Sequence, residues 1–211
     1  MVTWLSGYLM PLLENKLNIK NQVELAKAEE KISKLKAKQL FESFELNKIE
    51  VGTFAGLAHI HKILFEDIYN FAGKIREVNI AKGNFRFAPL MYLQQSLEHI
   101  DIMAQKNFEE IIEKYVEMNI AHPFREGNGR STRIWLDVML KANIRKVIDW
   151  NLVDKEAYLS AMERSVVKDV EIKQLLGAAL TDKIHDRETF MKGIDVSYYY
   201  EGYSEFKTED L

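Results

Sequence analysis

The chain has 211 residues, 47% of them hydrophobic and 29% charged, and its formal net charge at pH 7 is −3. Such a composition is typical of a globular protein with one good-sized core, or at most two small ones. We expect no nucleic-acid partner, because acidic and basic residues are interspersed and no basic face is indicated. The absence of cysteine excludes disulfides, thiolate metal sites and cysteine nucleophiles, and it is compatible with a reducing compartment.

The first 13 residues are fairly apolar, but Ser6, Gly7 and Pro11 interrupt them. A secretory signal begins with basic residues, whereas the first lysine of this chain is Lys16. No stretch approaches the ~20 consecutive apolar residues that a membrane-spanning helix needs. We therefore interpret 1–13 as a short leader and expect a cytoplasmic protein without a membrane partner.

Two helices are predicted in the first third of the chain, where glycine and proline are sparse. Asn21 and Glu24 form a capping pair, which predicts a helix that runs to about Phe44. This helix has an apolar stripe on one side and charged residues on the others, which is typical of a solvated helix packed on a core. A second helix is predicted from about Thr53 to Gly73.

The second predicted helix carries two histidines, His59 and His61. Side chains two residues apart on a helix point in different directions, so these two are not expected to share a metal ion. We interpret both histidines as structural.

The next segment changes from helical to alternating periodicity. Apolar and polar residues alternate over 78–80 and again over 84–87, on either side of the turn signal Lys82-Gly83-Asn84. This pattern predicts a β-hairpin over 77–88. Because a lone hairpin is marginally stable in water, one that projects from a helical protein is a candidate for binding an extended segment.

Helical periodicity predicts further helices that begin at Pro89, at Asn107, just after Gly129 and at the cap Asp154, followed by shorter helices to about Gly202. The helix that starts at Asn107 should end near Ala121, because the residue before Pro123 is biased away from helical geometry. No repeat, low-complexity run or linker divides the chain. We therefore predict an all-α fold with one hairpin, in a single domain over 1–211.

The loop at the start of the central helix, 122–133, concentrates small and charged residues. Gly127, Asn128 and Gly129 open a helix whose unpaired N–H groups and positive dipole end attract phosphate. Arg130 and Arg133 lie three residues apart on its first turns, hence on neighbouring faces, and are suited to two different phosphates. The combination predicts a polyphosphate ligand.

Two further residues of this loop carry chemistry. Glu126 is an acid beside a positive site, which we expect to hold a divalent cation such as Mg²⁺ together with water and phosphate oxygens. His122 is a natural general base for a hydroxyl nucleophile, since the ordinary pKa of histidine is about 6.5. Phe124 is expected to be an apolar peg that fixes the loop.

Common phosphate and metal motifs fit this loop less well. A P-loop would need Gly at position 124 and Lys at position 130, where this chain has Phe and Arg. A metal-hydrolase site would have Glu126 as its only further ligand beside His122. A plain helix–helix turn with glycines and solubilising charges is the remaining alternative, although base, acid, nest and two arginines so close together favour a functional loop.

The run HPFREGNGR, with Arg133 three residues further on, resembles the motif HPFx(D/E)GNGRxxR of the Fic (filamentation induced by cAMP) family at every fixed position. LFEDIYNFAGKIR, from Leu64 to Arg76, is similar to the segment before that family's flap, and NIAKGNFRFAP is similar to the flap itself. The resemblance covers most of the chain. It implies an all-helical core with a β-hairpin flap.

The resemblance also implies an activity, the transfer of AMP from the substrate ATP, with Mg²⁺, to a Ser, Thr or Tyr hydroxyl of a protein. In this scheme His122 is the base, Glu126 binds Mg²⁺ and Arg133 reaches the γ-phosphate. The implied nucleotide-binding set is Lys82, Gly127, Asn128, Gly129, Arg130, Ser131, Thr132 and Arg133. The implied flap, on which the target protein docks by strand addition, consists of Gly83, Asn84, Phe85, Arg86 and Phe87.

The segment 196–202 resembles the inhibitory helix (S/T)xxxE(G/N) of part of this family, through Ser197, Glu201 and Gly202. We expect Glu201 to pair with Arg133 and so to take the place of the γ-phosphate. An exposed acidic, aromatic tail is the alternative. The tyrosines 198–200 are either self-modification sites or packing residues, and removal of AMP is a secondary hypothesis for members with such a glutamate.

Two alternative functions stay open. One is a nucleotide-binding regulatory protein without turnover, although pure binding does not need His122. The other is a Fic-type kinase, but that branch has lysine at the position of Gly129, which favours AMP transfer here. The target protein is not identifiable from the sequence, and control of the inhibitory helix by homo-oligomer formation is compatible with it.

Overall fold

The computed structural model describes residues 12–82 and 85–211, and within them it is an all-α fold, as predicted. The helices, in chain order, are α1 (Gln22–Glu42), α2 (Phe54–Phe65), α3 (Leu90–Ile102), α4 (Phe108–Ala121), α5 (Asn128–Ile144), α6 (Lys155–Ser165), α7 (Val170–Ala178) and α8 (Arg187–Tyr200). Short 3₁₀ turns lie at Glu45–Lys48, Trp150–Leu152 and Thr208–Asp210.

Capping side chains set the helix starts that the sequence predicts. The oxygen of Asn21 accepts hydrogen bonds from the Val23 and Glu24 amides at the start of α1. Thr53, Asn107 and Asp154 cap α2, α4 and α6 in the same way, each bonding an amide in the first turn. Each cap satisfies a donor that has no partner within its helix, which is why these short polar side chains mark the starts.

Two helix boundaries differ from the prediction. Helix α2 ends at Phe65, well before Gly73, because the chain turns there and the amides of Ile68 and Tyr69 both donate to the Phe65 carbonyl. Helix α5 already begins at Asn128, since Gly127 takes the left-handed conformation (φ 77°) and ends the preceding loop. Asn128 and Gly129 therefore form the first turn of α5 rather than part of a loop.

The predicted hairpin is present but short. Strands β1 (Ala81–Lys82) and β2 (Phe85–Arg86) pair antiparallel, with Ala81 opposite Arg86. Its turn residues Gly83 and Asn84 lie outside the described residues, as do 1–11 of the predicted leader. A second antiparallel pair, β3 (Val147–Ile148) and β4 (Leu180–Thr181), is not predicted by the sequence, because strands of two residues show no alternation.

Helix α5 is the centre of the fold and packs against α2, α4 and α8. Its side chains Trp135, Leu136, Met139 and Leu140 are fully buried. Burial on all sides fixes the helix in the core, so the loop at its N-terminus starts from a rigid base. Among the helices of the described residues, none is both long and apolar enough to cross a membrane.

Candidate active site

The loop that joins α4 to α5 is closed by the side chain of Asn128. Its oxygen accepts a hydrogen bond from the Phe124 amide, and its nitrogen donates to the Phe124 carbonyl, both at 2.8 Å. The loop starts at His122, which is left-handed (φ 48°), and ends at Gly127. Phe124 is fully buried between the rings of Phe54 and His61, as the predicted apolar peg. The motif is therefore held by its own Asn128 side chain and by the rings packed on Phe124.

The N-terminus of α5 has the features of an anion-binding site. The amides of Asn128, Gly129 and Arg130 lie in its first turn, where no earlier helical carbonyl can accept their hydrogens. Gly127 is needed ahead of them, because its positive φ favours glycine and a Cβ there would lie 2.5 Å from the Phe65 ring. These observations support the predicted nest, formed by backbone amides rather than by the Asn128 side chain.

His61 connects this loop to the segment that follows α2. Its Nδ1 accepts a hydrogen bond from the Gly73 amide, and its Nε2 donates to the Glu126 carbonyl, both at 2.8 Å. Because Nδ1 must accept, the ring is neutral, and burial lowers its pKa to about 3. The sequence predicts a structural role for His61. In the structure, His61 joins the Gly73 amide to the Glu126 carbonyl and so fixes the position of the Glu126 backbone.

His122 is arranged as a base. Its Nδ1 lies 3.2 Å from the Asn119 carbonyl, which can only accept, so Nδ1 carries the proton and Nε2 keeps a lone pair. The ring stacks on Phe87 of the flap, with centroids 3.6 Å apart and planes at 16°. Burial lowers the pKa of His122 to about 3, so the imidazole is neutral at neutral pH.

Glu126 lies at the edge of the site with its side chain 43% exposed. One carboxylate oxygen accepts from the Gly127 amide at 2.9 Å and from Arg130 at 3.0 Å. No group of three acidic or histidine side chains within the described residues forms a metal site. A single protein carboxylate fits Mg²⁺ that is otherwise bound by water and phosphate, and it does not fit a cation held by protein ligands alone.

Arg130 requires a correction, because its guanidinium does not face the anion site. The side chain is fully buried and pairs with Glu29 of α1 at 2.5 Å and with Glu126. The rings of Tyr203 and Phe65 lie within 5 Å of it, at 4.8 and 4.9 Å. A guanidinium enclosed by two carboxylates and aromatic rings is a structural cation, so only the backbone amide of Arg130 is placed for a phosphate.

Ser131 and Thr132 also require a correction, since both side chains are fully buried and their hydroxyls bond to backbone carbonyls of the same helical turn. The Ser131 hydroxyl donates to the Gly127 and Asn128 carbonyls, and the Thr132 hydroxyl donates to the Asn128 carbonyl at 2.8 Å. The Ser131 amide is already bonded to the Gly127 carbonyl. These residues stabilise the first turn of α5 instead of binding a nucleotide.

Arg133 is the arginine that reaches the site, and α8 covers it. Its Nε donates to the Ser197 hydroxyl at 2.6 Å, and its Nη2 donates to the Ser197 carbonyl and to the Glu201 carboxylate, both at 2.9 Å. The ring of Tyr200 lies 5.3 Å from the guanidinium. The structure thus brings both polar positions of the C-terminal segment 196–202 onto a single arginine.

The Glu201 carboxylate lies over the first turn of α5. A Cβ on Gly129 would be 2.4 Å from its Oε1. Its Oε2 lies 3.3 Å from the ammonium of Lys82 in β1, so it also contacts the flap. Burial acts to raise the pKa of Glu201, but Arg133 and Lys82 outweigh it and hold that pKa well below its ordinary value. An anionic side chain therefore lies over the helical turn that carries the open amides.

Comparison with known proteins agrees with this geometry. The Fic/DOC family model matches residues 53–140, from the α2 cap through most of α5. The probable protein adenylyltransferase Fic of Escherichia coli (strain K12) is 29% identical over 199 residues, 86% of this chain and 94% of that protein. The chain belongs to the Fic/DOC family. The protein adenylyltransferase VbhT of Bartonella schoenbuchensis is 31% identical over 202 residues, 88% of this chain but 40% of VbhT.

Solved Fic structures show the same fold. The N-terminal FIC domain of Bep8 from Bartonella sp. 1-1C has a TM-score of 0.66 at 20% identity, covering 85% of this chain and 95% of that one. BepC of Bartonella tribocorum, solved with bound AMPPNP, has a TM-score of 0.64 at 18% identity, covering 80% of this chain and 92% of that one.

Two residues that support the Fic motif do not stand out in the sequence. Glu29 accepts hydrogen bonds from Arg130, Tyr69 and Tyr203, and thereby joins α1 to the motif and to the end of the chain. Arg76 ends the stretch that resembles the segment before the flap, and its side chain bonds the backbone at His122. No chemical signal marks either residue, because each meets its partners only after folding.

Proposed function

We propose that this Fic protein is an autoinhibited protein adenylyltransferase, which transfers AMP from ATP to Ser, Thr or Tyr hydroxyls of a target protein and of itself. The observation that carries this proposal is that two features occur in one loop. His122 is neutral, with Nε2 free to accept a proton, and the amides at the start of α5 are open. The names of the similar proteins from E. coli and B. schoenbuchensis support the reaction type.

The reaction follows from these groups. His122 Nε2 takes the proton of the target hydroxyl, whose oxygen then bonds to the α-phosphorus of ATP. The bond from the α-phosphorus to the bridging oxygen breaks, and pyrophosphate leaves with its electron pair. The amides of Asn128, Gly129 and Arg130 bind phosphate oxygens, and Arg133 pairs with the γ-phosphate. Mg²⁺, with Glu126 as its protein ligand, would neutralise charge on the phosphates.

Autoinhibition is supported by the position of Glu201. Its carboxylate holds Arg133 and lies over the first turn of α5, so a γ-phosphate and Glu201 would compete for the same cation. Ser197 adds two further bonds to that arginine, which keeps it turned towards α8. ATP would then bind in a pose that exposes no α-phosphorus to the base. Release of α8 is therefore the step that we expect to control activity.

The flap is proposed to dock the target as an added strand. Among the described residues, β1 and β2 pair with each other and with no third strand, while Phe87 contacts His122. Phe85 and Arg86 of β2 belong to the proposed docking surface, together with the predicted turn residues Gly83 and Asn84. The single domain over 1–211, the cytoplasmic location and control by homo-oligomer formation remain predictions that accompany this proposal.

Self-modification, if it occurs on the tyrosines 198–200, is expected at Tyr199. Its side chain is 54% exposed, whereas Tyr198 and Tyr200 are buried. Removal of AMP is the secondary activity, in which Glu201 would orient a water molecule. Release of AMP from a modified protein by the unaltered chain, but not by Glu201→Gly, would support it.

Labelled ATP tests the main proposal. With ATP labelled at the α-phosphate and Mg²⁺, Glu201→Gly should label protein at least about tenfold faster than the unaltered chain, since Arg133 becomes available. His122→Ala in the Glu201→Gly background should label nothing. Glu205→Gly is the matched control, because the Glu205 carboxylate pairs only with exposed Lys27 at 2.9 Å among the described residues.

The remaining outcomes separate the alternatives. Label that enters protein only from the γ-phosphate would identify a kinase. ATP binding without transfer in every variant would identify a regulatory protein without turnover. Equal labelling by Glu201→Gly and the unaltered chain would reject autoinhibition while leaving AMP transfer intact.

A further inference from the structure

Arg76 is a buried cation, and every hydrogen bond of its side chain within the described residues goes to a backbone carbonyl. It lies in the segment between α2 and β1, and it is 3% exposed. Within the part of the chain that the structure describes, no carboxylate pairs with it. A buried guanidinium without a counter-ion costs free energy, so its hydrogen bonds must position something that matters to the fold or the site.

The guanidinium donates to carbonyls on two separate parts of the protein. Its Nη1 bonds the carbonyl of Val78 at 2.7 Å, and its Nη2 bonds that of Ala88 at 2.5 Å. These two residues are the points where the flap leaves and rejoins the helical core. Its Nε bonds the carbonyl of His122 at 2.9 Å, and Nη2 also reaches that of Ala121 at 3.3 Å.

The backbone at His122 needs such support. His122 is left-handed, with φ of 48°, which is uncommon for a residue with a side chain. The Arg76 amide bonds the next carbonyl, that of Pro123, at 2.8 Å, so Arg76 holds two successive peptide groups at the base. Arg76 therefore holds the backbone from which the imidazole projects.

The flap also contacts the His122 ring directly. Phe87, one residue before Ala88, stacks on the His122 ring at 3.6 Å, and Phe85 packs edge-on against Phe87 at 5.0 Å. The Ala88 amide also donates to the Ile120 carbonyl at 2.9 Å. With both ends of the flap tied to the backbone of the base, this stacking has a fixed geometry.

We propose that Arg76 is a positioning residue that sets the flap and the base relative to one another, so that a hydroxyl on a docked target meets His122 Nε2. This role rests on the proposed AMP transfer, in which Arg76 touches neither ATP nor the target. Lysine cannot replace it, because one ammonium does not span four carbonyls in a planar fork.

The test uses the full chain in the Glu201→Gly background with Arg76→Lys, with Phe87→Leu as an independent disruption from the flap side, and with exposed Arg164→Lys as control. Self-modification with α-labelled ATP should show kcat lowered about tenfold or more for the first two variants. The KM for ATP should stay within about twofold, because the open amides and Arg133 are untouched. The control should match its parent.

A spectroscopic readout keeps the proposal testable without turnover. With labelled histidine, the His122 ring signals carry the ring-current shift of Phe87, and both variants should move them, while the His61 signals stay in place. Unchanged His122 signals in Arg76→Lys, or a higher KM for ATP at unchanged kcat, would overturn the positioning role. If Glu201→Gly transfers no AMP, the proposed function fails, and the His122 signals still decide the role of Arg76.

Discussion

Neighbouring backbone groups decide what each histidine of the site does. His61 has both ring nitrogens bonded, to Gly73 and to Glu126, and this leaves no lone pair for chemistry. His122 has one nitrogen bonded, to Asn119, and keeps the other for a proton. Both rings are neutral because burial lowers the pKa of each to about 3. The same type of side chain thus anchors a loop in one place and is the proposed base in the other.

Neutral His61 makes stability depend on pH in a defined window. Its pKa is about 3 when folded and 6.5 when unfolded, so the unfolded chain binds a proton more readily. Its contribution is fully present above pH 6.5 and is lost as the pH falls towards 3, at up to about 1.4 kcal/mol per pH unit. His122 has a similarly lowered pKa and adds a slope of its own. The contribution of His61 is therefore measured as the difference in slope between the unaltered chain and His61→Gln, from urea unfolding between pH 7.5 and about 4.5.

His59, two residues before His61, provides the control for this prediction. His61→Gln should be less stable at pH 7 but should lose less stability on acidification. Its free energy of unfolding should depend less steeply on pH, by the equivalent of up to one proton taken up on unfolding. His59→Gln alters an exposed histidine and should keep the slope of the parent. Parallel slopes for all three proteins would contradict the prediction.

Helix α8 ends in a motif that requires a glycine, and this explains Gly202 directly after Glu201. Gly202 is left-handed, with φ of 92°; its amide donates to the Tyr199 carbonyl and the Tyr203 amide to that of Tyr198. This is the Schellman arrangement, in which a glycine ends the helix. Tyr203 then packs edge-on against Tyr198 at 6.1 Å. The helix stops so that Glu201, its capping residue, projects onto Arg133.

Substitution of Gly202 tests this element. A Cβ there would meet nothing within 4 Å, so the cost of Gly202→Ala comes from the backbone conformation alone. We expect a loss of about 1 kcal/mol in the free energy of unfolding. Gly202→Asn should lose less, because asparagine tolerates the left-handed region. Thermal unfolding of the three proteins measures the order, and equal losses for alanine and asparagine would argue against a conformational cause.

At the scale of the whole molecule, helix α1 joins the end of the chain to the motif. Glu29 binds both Arg130 and Tyr203, which follows Glu201 by two residues. One turn further on, buried Lys34 pairs with Glu30 and Asp195, each at 3.0 Å, and bonds the Phe206 carbonyl. Helix α8 is therefore held on one side by Arg133 and on the other by charges of α1.

Lys34 is the residue whose loss should show this coupling. Lys34→Met removes the cation between Glu30 and Asp195, and it leaves the buried Glu30 carboxylate, 2% exposed, without that partner beside Asp195, which is 31% exposed. We expect the free energy of unfolding to fall by about 3 kcal/mol. Lys31→Met, on the exposed side of the same helix, should change it by less than about 0.5 kcal/mol. Similar urea midpoints for the two variants would count against a structural role for the buried cluster.

Local features of the sequence were enough for the all-α fold, most helix starts, the flap and the motif 122–133. Caps, helical periodicity and the motif each act within a few residues, so a short window contains their cause. The pairing of Glu201 with Arg133 is also expected, but only through resemblance, since 68 residues separate them.

The tertiary structure decided which arginine lies beside the open amides of α5. Sequence spacing places Arg130 and Arg133 on neighbouring faces of one helix, and predicts that both bind phosphate. Glu29, 101 residues from Arg130, encloses that arginine, whereas α8 leaves Arg133 beside the open amides. The hold of Arg76 on His122 arises in the same way. The position of a side chain in a helical or motif pattern depends on nearby residues. Its contact partner depends on packing between segments that are remote in the chain, so a short window of sequence does not contain the cause.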